Sequence, residues 1–401
     1  MKRLGWALLL LIAATPSWAA RKITVQQLKD LLVSLQQAKK TDVEVASELM
    51  QVELTEELTR PTMDDLANFV PGPQTTVQMY VLEVHSAELP PPASDLPTTA
   101  APDAAAQQAI LDKAINYATA TYAQLPHVNA IKTVARFEEE WPKIDSAALR
   151  TASMKTLFDL DSRNQGQVIR FVKSTEIPVN VENGAEQDTL PEDKTHWGEN
   201  GQVVLLSQGP DLASVVKEAQ AAGKISWLRW ERVNGVETAV YVFAVSKKQS
   251  HYAVDYCCFR RESSDGVQQM QTSPLSDHNS RLDISSWDHR HATVPYHGEM
   301  FVDPKTGIVV RLVTQAEFKP SDDIRQEDWR IDYAPVTVGD KTFVLPVRTV
   351  ISAVTVNVRA YTQPGGQRVA SSEVFTKTCN TLFVAEYNGY QLGSAAPEAQ
   401  K

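Results

Sequence analysis

Four histidines, His278, His289, His291 and His297, fall within one stretch of twenty residues, with Asp277, Asp283, Asp288 and Glu299 around them. His289 and His291 share a face if this stretch is a strand, and with His297 they could ligate zinc. The pattern lacks an H-E-x-x-H pair and a C-x-x-C pair to complete such a site. Residues 262–286 are polar and rich in Ser and Asp, which predicts a long loop. Solvated histidines are therefore the expectation. A zinc site on His289, His291 and His297, serving a metal-dependent hydrolase, is the alternative, and no cofactor is otherwise expected.

Ser214-Val-Val-Lys217 and Lys305-Thr-Gly307 match two elements of the penicillin-recognising serine enzymes. The middle S-D-N element is missing, unless Ser276-Asp-His-Asn279 is stretched to serve. Asp303-Pro304 makes the K-T-G stretch a tight turn in which Gly307 takes a positive φ. No G-x-S-x-G elbow, P-loop or G-x-G-x-x-G is present. Cys257, Cys258 and Cys379 are the cysteines. Adjacent strand residues point to opposite faces, so only one of the vicinal pair readily reaches Cys379. A structural Cys258–Cys379 bridge is the candidate, and unbridged buried thiols are the alternative.

Aromatic residues give the third candidate. Trp227, Trp230, Tyr241, Phe243, Trp329 and Tyr333 fall on neighbouring predicted strands. They read either as core beneath helices or as the inner face of a curved sheet that holds an apolar ligand.

The elements that position these residues follow from periodicity. Lys2 and Arg3, the apolar run Leu4–Ala14, and small residues at Ser17 and Ala19 read as a signal peptide over residues 1–19, so the mature chain is expected outside the cytoplasm, periplasmic or secreted and soluble. No cysteine stands near the cleavage site for acylation, and no later run is long enough to anchor in a membrane. The 401 residues hold 39 basic and 49 acidic side chains, a net charge of −10, and loss of Lys2 and Arg3 takes this to −12. Phosphate contact needs a basic footprint, so nucleic acid is excluded as a partner.

Residues 20–88 read as short amphipathic helices, with capping boxes at Thr24-Val-Gln-Gln27 and Thr41-Asp-Val-Glu44. Residues 89–102 read as a proline-rich linker, and 103–156 as a helical segment leading into the sheet. Residues 157–391 read as antiparallel β-structure. Asn234-Gly235 makes a hairpin of 227–245, whose return strand is apolar on both faces, and a second hairpin turns at 303–307. Val310, Leu312, Ala316 and Phe318 alternate with Arg311, Gln315 and Glu317, and Trp329, Ile331 and Tyr333 with Arg330 and Asp332. That alternation predicts a sheet with one solvated face. Strands are expected over 342–360, 367–377 and 381–387, and residues 392–401 as a tail.

The segments Tyr296-His-Gly-Glu-Met-Phe-Val-Asp-Pro-Lys-Thr-Gly307, Asp332–Gly339, Leu345-Pro-Val-Arg348, Gly223–Trp227, Ser250–Val254 and Leu54-Thr-Glu-Glu-Leu58 resemble a family of large exported bacterial proteins with no assigned function. The strand–turn–strand pattern is also similar to the half-barrel of LolA-like periplasmic lipoprotein carriers. That resemblance implies an α+β fold, a curved antiparallel sheet covered by helices, after a helical N-terminal region. It implies no catalytic residue. The expected function is non-catalytic binding of a lipid, lipoprotein or other apolar ligand, or of an envelope protein, with docking of a partner through the N-terminal helices as a further alternative.

Overall fold

The computed structural model describes residues 21–87, 89–139, 169–187, 204–205, 209–260, 287–320, 322, 324–360 and 374–393. Its centre is an open ten-stranded antiparallel sheet with helices on both faces.

The N-terminal unit begins with β1 (Arg21–Ile23), α1 (Val25–Gln37), α2 (Asp42–Leu49) and β2 (Val52–Leu54), and continues with α3 (Arg60–Leu66) and α4 (Pro73–His85). Both capping boxes form, Thr24 with Gln27 and Thr41 with Glu44, so the orphan amides at each helix start are satisfied. Leu28, Leu32, Val45, Leu49, Leu58, Leu66 and Met79 make its core. β1 and β2 pair in parallel, a contact the helical reading of residues 20–88 misses because three-residue strands carry almost no periodicity. α3 starts at Arg60, with Pro61 in its first turn.

The proline-rich stretch leads to α5 (Ala104–Asn116), capped by Asp103, and a π-turn over Tyr117–Thr121. β3 (Val128–Glu139) follows, so residues 103–156 are not one helical segment. Its buried apolar side chains are Val128, Ala130 and Phe137, while Arg136 and Glu138 are buried as charges, so its hydrophobic alternation is weak. Next come β4 (Ile169–Glu182), β5 (Ala185–Gln187), β6 (Val204–Leu205), α6 (Leu212–Ala222), β7 (Ile225–Val233), β8 (Val236–Val245), β9 (Ala253–Arg260) and β10 (Trp287–Thr293). The chain ends with β11 (Tyr296–Val302), β12 (Val309–Ala316), β13 (Ile324–Val338), β14 (Lys341–Ala360) and β15 (Val374–Leu392).

The large sheet runs β5-β4-β3-β15-β14-β13-β12-β11-β8-β7, and β10-β9-β6 form a small second sheet. Residues 381–387, expected as a separate last strand, continue the same strand as Val374. At the β7–β8 hairpin Asn234 and Gly235 take φ of 51° and 78°, as a type I′ turn requires. β8 is buried on both faces although it lies next to edge strand β7: Ala239, Tyr241 and Phe243 pack with α5 and α6, and Val240 packs with Val233, Phe301 and Val313 on the other side.

Leu312, Trp329, Ile331 and Ile351 point to the face covered by α5 and α6. Arg311, Arg330, Asp332, Arg348 and Val350 point to the other. That second face is not solvated as its polar alternation predicts. Val77 and Val81 of α4 pack there on Phe137, Val350, Leu382 and Val384, and acidic residues of the N-terminal unit meet the arginines.

Candidate functional site

The six aromatic residues come together on the α5-covered face. A β-bulge between Trp227 and Arg229 is needed for this, since Trp227 and Trp230 would otherwise face opposite sides. Their rings meet edge-on at 4.8 Å, and Trp227 meets Tyr241, its partner across the hairpin, at 5.8 Å. Phe243 packs on Tyr296, and Tyr333 stands edge-on to Tyr122 at 5.7 Å. Trp329 donates to Glu327 Oε1 at 2.7 Å. Ile110, Leu111 and Ala114 of α5 and Leu212, Val215, Val216 and Ala219 of α6 fill the space above. The face is thus occupied by the protein's own side chains. Of the six, only Trp227 and Trp230 stay partly exposed.

Two hydrogen bonds hold the cover over this end: the Tyr241 hydroxyl donates to Gln107 O at 2.6 Å, and Trp230 Nε1 to Ala100 O at 3.0 Å. Burial pushes the Tyr241 pKa up to about 12. The proline-rich stretch is thereby laid along β7, with Arg232 donating to Ser94 O and Thr99 to Glu237. Lys113 of α5 donates to Pro304 O and Lys305 O, and Gly307, at φ 80°, lies against the Lys113 backbone. The K-T-G stretch is therefore a turn that seats α5.

The histidines divide between the sheets. His289 and His291 lie on β10 of the small sheet, and His297 on β11 of the large one. His297 is exposed and its Nδ1 lies 3.1 Å from Glu317 Oε1. The side chains of His289 and His291, and all of His278, lie outside the described residues. No metal-ligand cluster forms among the described residues. Cys257 and Cys258 lie on β9 and Cys379 on β15, in different sheets, and their side chains also lie outside the described residues. Among the described residues no helix is long and apolar enough to cross a membrane.

A polar centre that the sequence reading missed lies on the other face. Glu57, between β2 and α3, accepts from Arg311 Nη1 at 3.3 Å and Arg330 Nη1 at 2.9 Å. Arg311 Nε donates to Asp332 Oδ1 at 2.7 Å. Glu83 of α4 takes Arg348 bidentately, at 2.8 and 2.6 Å. Arg229 bridges Glu231 and Glu299. Burial opposes ionisation of Asp332, but Arg311 and Arg330 outweigh it and hold its pKa down to about 2. The same balance raises Arg311, whose burial is overcome by Asp332 and Glu57. The only sequence trace of this centre is the regular spacing of arginines on a face expected to be wet.

Glu231 shows the opposite balance. Burial dominates over Arg229, and its pKa rises to about 7. The folded chain then holds a proton that the unfolded chain has lost, so stability falls as pH rises from about 4.5 to 7. The full effect is at most ~3 kcal/mol. Denaturant unfolding of wild type and Glu231→Gln across pH 4.5–8 should show the variant gaining on wild type through that window and then running parallel. A gap that does not change with pH would refute the assignment.

These features define a class: an α+β protein whose open antiparallel sheet is covered on one face by an aromatic-backed helix and on the other by an ion-paired N-terminal unit. Comparison with family models, with curated proteins and with solved structures gives no match to this chain.

Proposed function

We propose that this is an exported, non-catalytic cell-envelope protein that binds a lipid, lipoprotein or other apolar ligand on the α5-covered face, as a LolA-like half-barrel does. The observation that carries the reading is the pair Trp227 and Trp230, still partly exposed at one end of an aromatic row whose other four members are buried. The cover beside them is light. Residues 104–109, the first half of α5, bury none of their side chains, and two hydrogen bonds tie this end to the aromatic row. Lifting α5 would expose Tyr241 and the adjoining core as a continuous apolar floor. The signal-like leader and the likeness to large exported proteins agree with a place in the envelope.

Native mass spectrometry of the mature chain purified from its own host, before and after organic extraction, tests this. A lipid or acylated peptide lost on extraction is the expected result. Protein that leaves its host with no apolar adduct, and takes up none from mixed phospholipid vesicles, would rule the reading out.

A further inference from the structure

Between the N-terminal unit and the sheet lies a cleft of about 310 Å³. It is on the face away from α5, so a ligand bound there is independent of apolar binding at the aromatic row. Period-two alternation along β13 sets Asp328 and Arg330 on this face, about 7 Å apart. Ser352 lies across from Asp328, and Val350 and Val313 flank Arg330 on the two neighbouring strands. Glu53 of β2 and His85 of α4 stand on the opposite wall.

The two ends of this cleft have opposite characters. Arg330 is 3% exposed. Its Nη1 donates to Glu57, while Nε and Nη2 have no hydrogen-bond partner among the described residues, the Asp332 carboxylate lying 3.7 Å from Nε. Buried polar groups left in this way are rare and call for an unseen acceptor. The Nε–Nη2 edge of a guanidinium suits a carboxylate, which it takes with two parallel hydrogen bonds. The other end carries the carboxylate of Asp328, which accepts from Gln326, while Glu53 at the rim is already paired with Lys22 at 3.3 Å. His85 stands at the rim, where desolvation lowers its pKa although part of the ring stays exposed. Val313, Val350 and Val354 supply apolar walls.

A simple anion would fill the guanidinium edge but face the Asp328 carboxylate. A simple amine would leave that edge empty. A ligand with both charges satisfies both ends. We propose that the cleft binds a small zwitterion, an α-amino acid or a dipeptide, with its carboxylate on the Nε–Nη2 edge of Arg330 and its ammonium against Asp328. The volume agrees, lying at the small end of the range for ligand sites, on the order of 300 Å³.

Calorimetric titration of the mature chain with L-alanine, L-alanyl-L-alanine, the N-acetylated dipeptide and the dipeptide amide tests the proposal. Saturable one-to-one binding of the free amino acid or the free dipeptide is expected, and the better of the two identifies the ligand size. Each end-blocked form should bind at least ~10-fold more weakly, the loss of one charge-assisted contact. Asp328→Asn should weaken the free dipeptide by a similar factor and leave the acetylated form unchanged. Arg330 also neutralises Glu57, so its replacement tests folding as well as binding. Ser352→Phe, which narrows the cleft without touching the ion pairs, should abolish binding while the unfolding midpoint is retained. Absence of saturable binding by either free ligand, equal binding of free and blocked forms, or full binding by Asp328→Asn or Ser352→Phe would overturn it.

Discussion

Replacing Glu57 by alanine should cost about 3–5 kcal/mol of folding stability, because it leaves buried guanidinium charge without its counter-charge. Glu57 is 2% exposed, and Arg311 and Arg330 are 3% exposed each. Arg311 keeps Asp332 at 2.7 Å, but Arg330 is left with only the 3.7 Å approach to the same carboxylate. Glu57→Gln keeps the shape and one acceptor oxygen and should cost less. Guanidinium unfolding of the mature chain, with midpoint and slope both fitted, measures the loss. A drop in slope would show that the N-terminal unit leaves the sheet before the sheet unfolds. A loss below ~1 kcal/mol for Glu57→Ala would mean that water reaches the arginines, contrary to their burial.

The Glu83–Arg348 pair makes the second large effect. Both oxygens of Glu83 are used, at 2.8 and 2.6 Å, and the two side chains are 1% and 9% exposed. Glu83→Leu alone should cost about 3–5 kcal/mol, since it strands a buried cation. Adding Arg348→Met should restore most of that stability. Apolar replacements for a buried ion pair are often neutral or better, and Val81, Val350 and Val384 already provide an apolar surround. The double-mutant cycle should therefore give a coupling of at least ~2 kcal/mol, well outside the ~0.5 kcal/mol of independent sites. Additive losses would sink the idea that this pair registers α4 on the sheet.

Local chemistry carried much of the fold into the sequence. Asn234-Gly235 needs two positive φ values and has them. Thr24, Thr41, Asp103 and Asp211 cap helices because each places an oxygen three residues ahead of an orphan amide. β13 and β14 were legible from alternation. β3 was not, since two of its buried positions are charged and its apolar ones are few or small. The aromatic row was recognisable as a group, because its members recur on adjacent strands. Its geometry was not, because the bulge after Trp227 moves Trp230 to the same face and changes no residue type.

The capped helices, the hairpins and the alternation of two faces along the strands are written in the chain itself. Each depends on residues close together, where φ preference and side-chain spacing act directly. What covers each face was settled in three dimensions. Arg311, Arg330, Asp332 and Arg348 look solvent-facing in one dimension, and they are buried because Glu57 and Glu83, more than 250 residues away from the arginines in the chain, arrive to pair with them. Pairing at that separation leaves no period in the sequence. The same long-range docking shapes the cleft beside Arg330 and presses α5 onto the aromatic row, so both candidate sites depend on which distant surfaces meet.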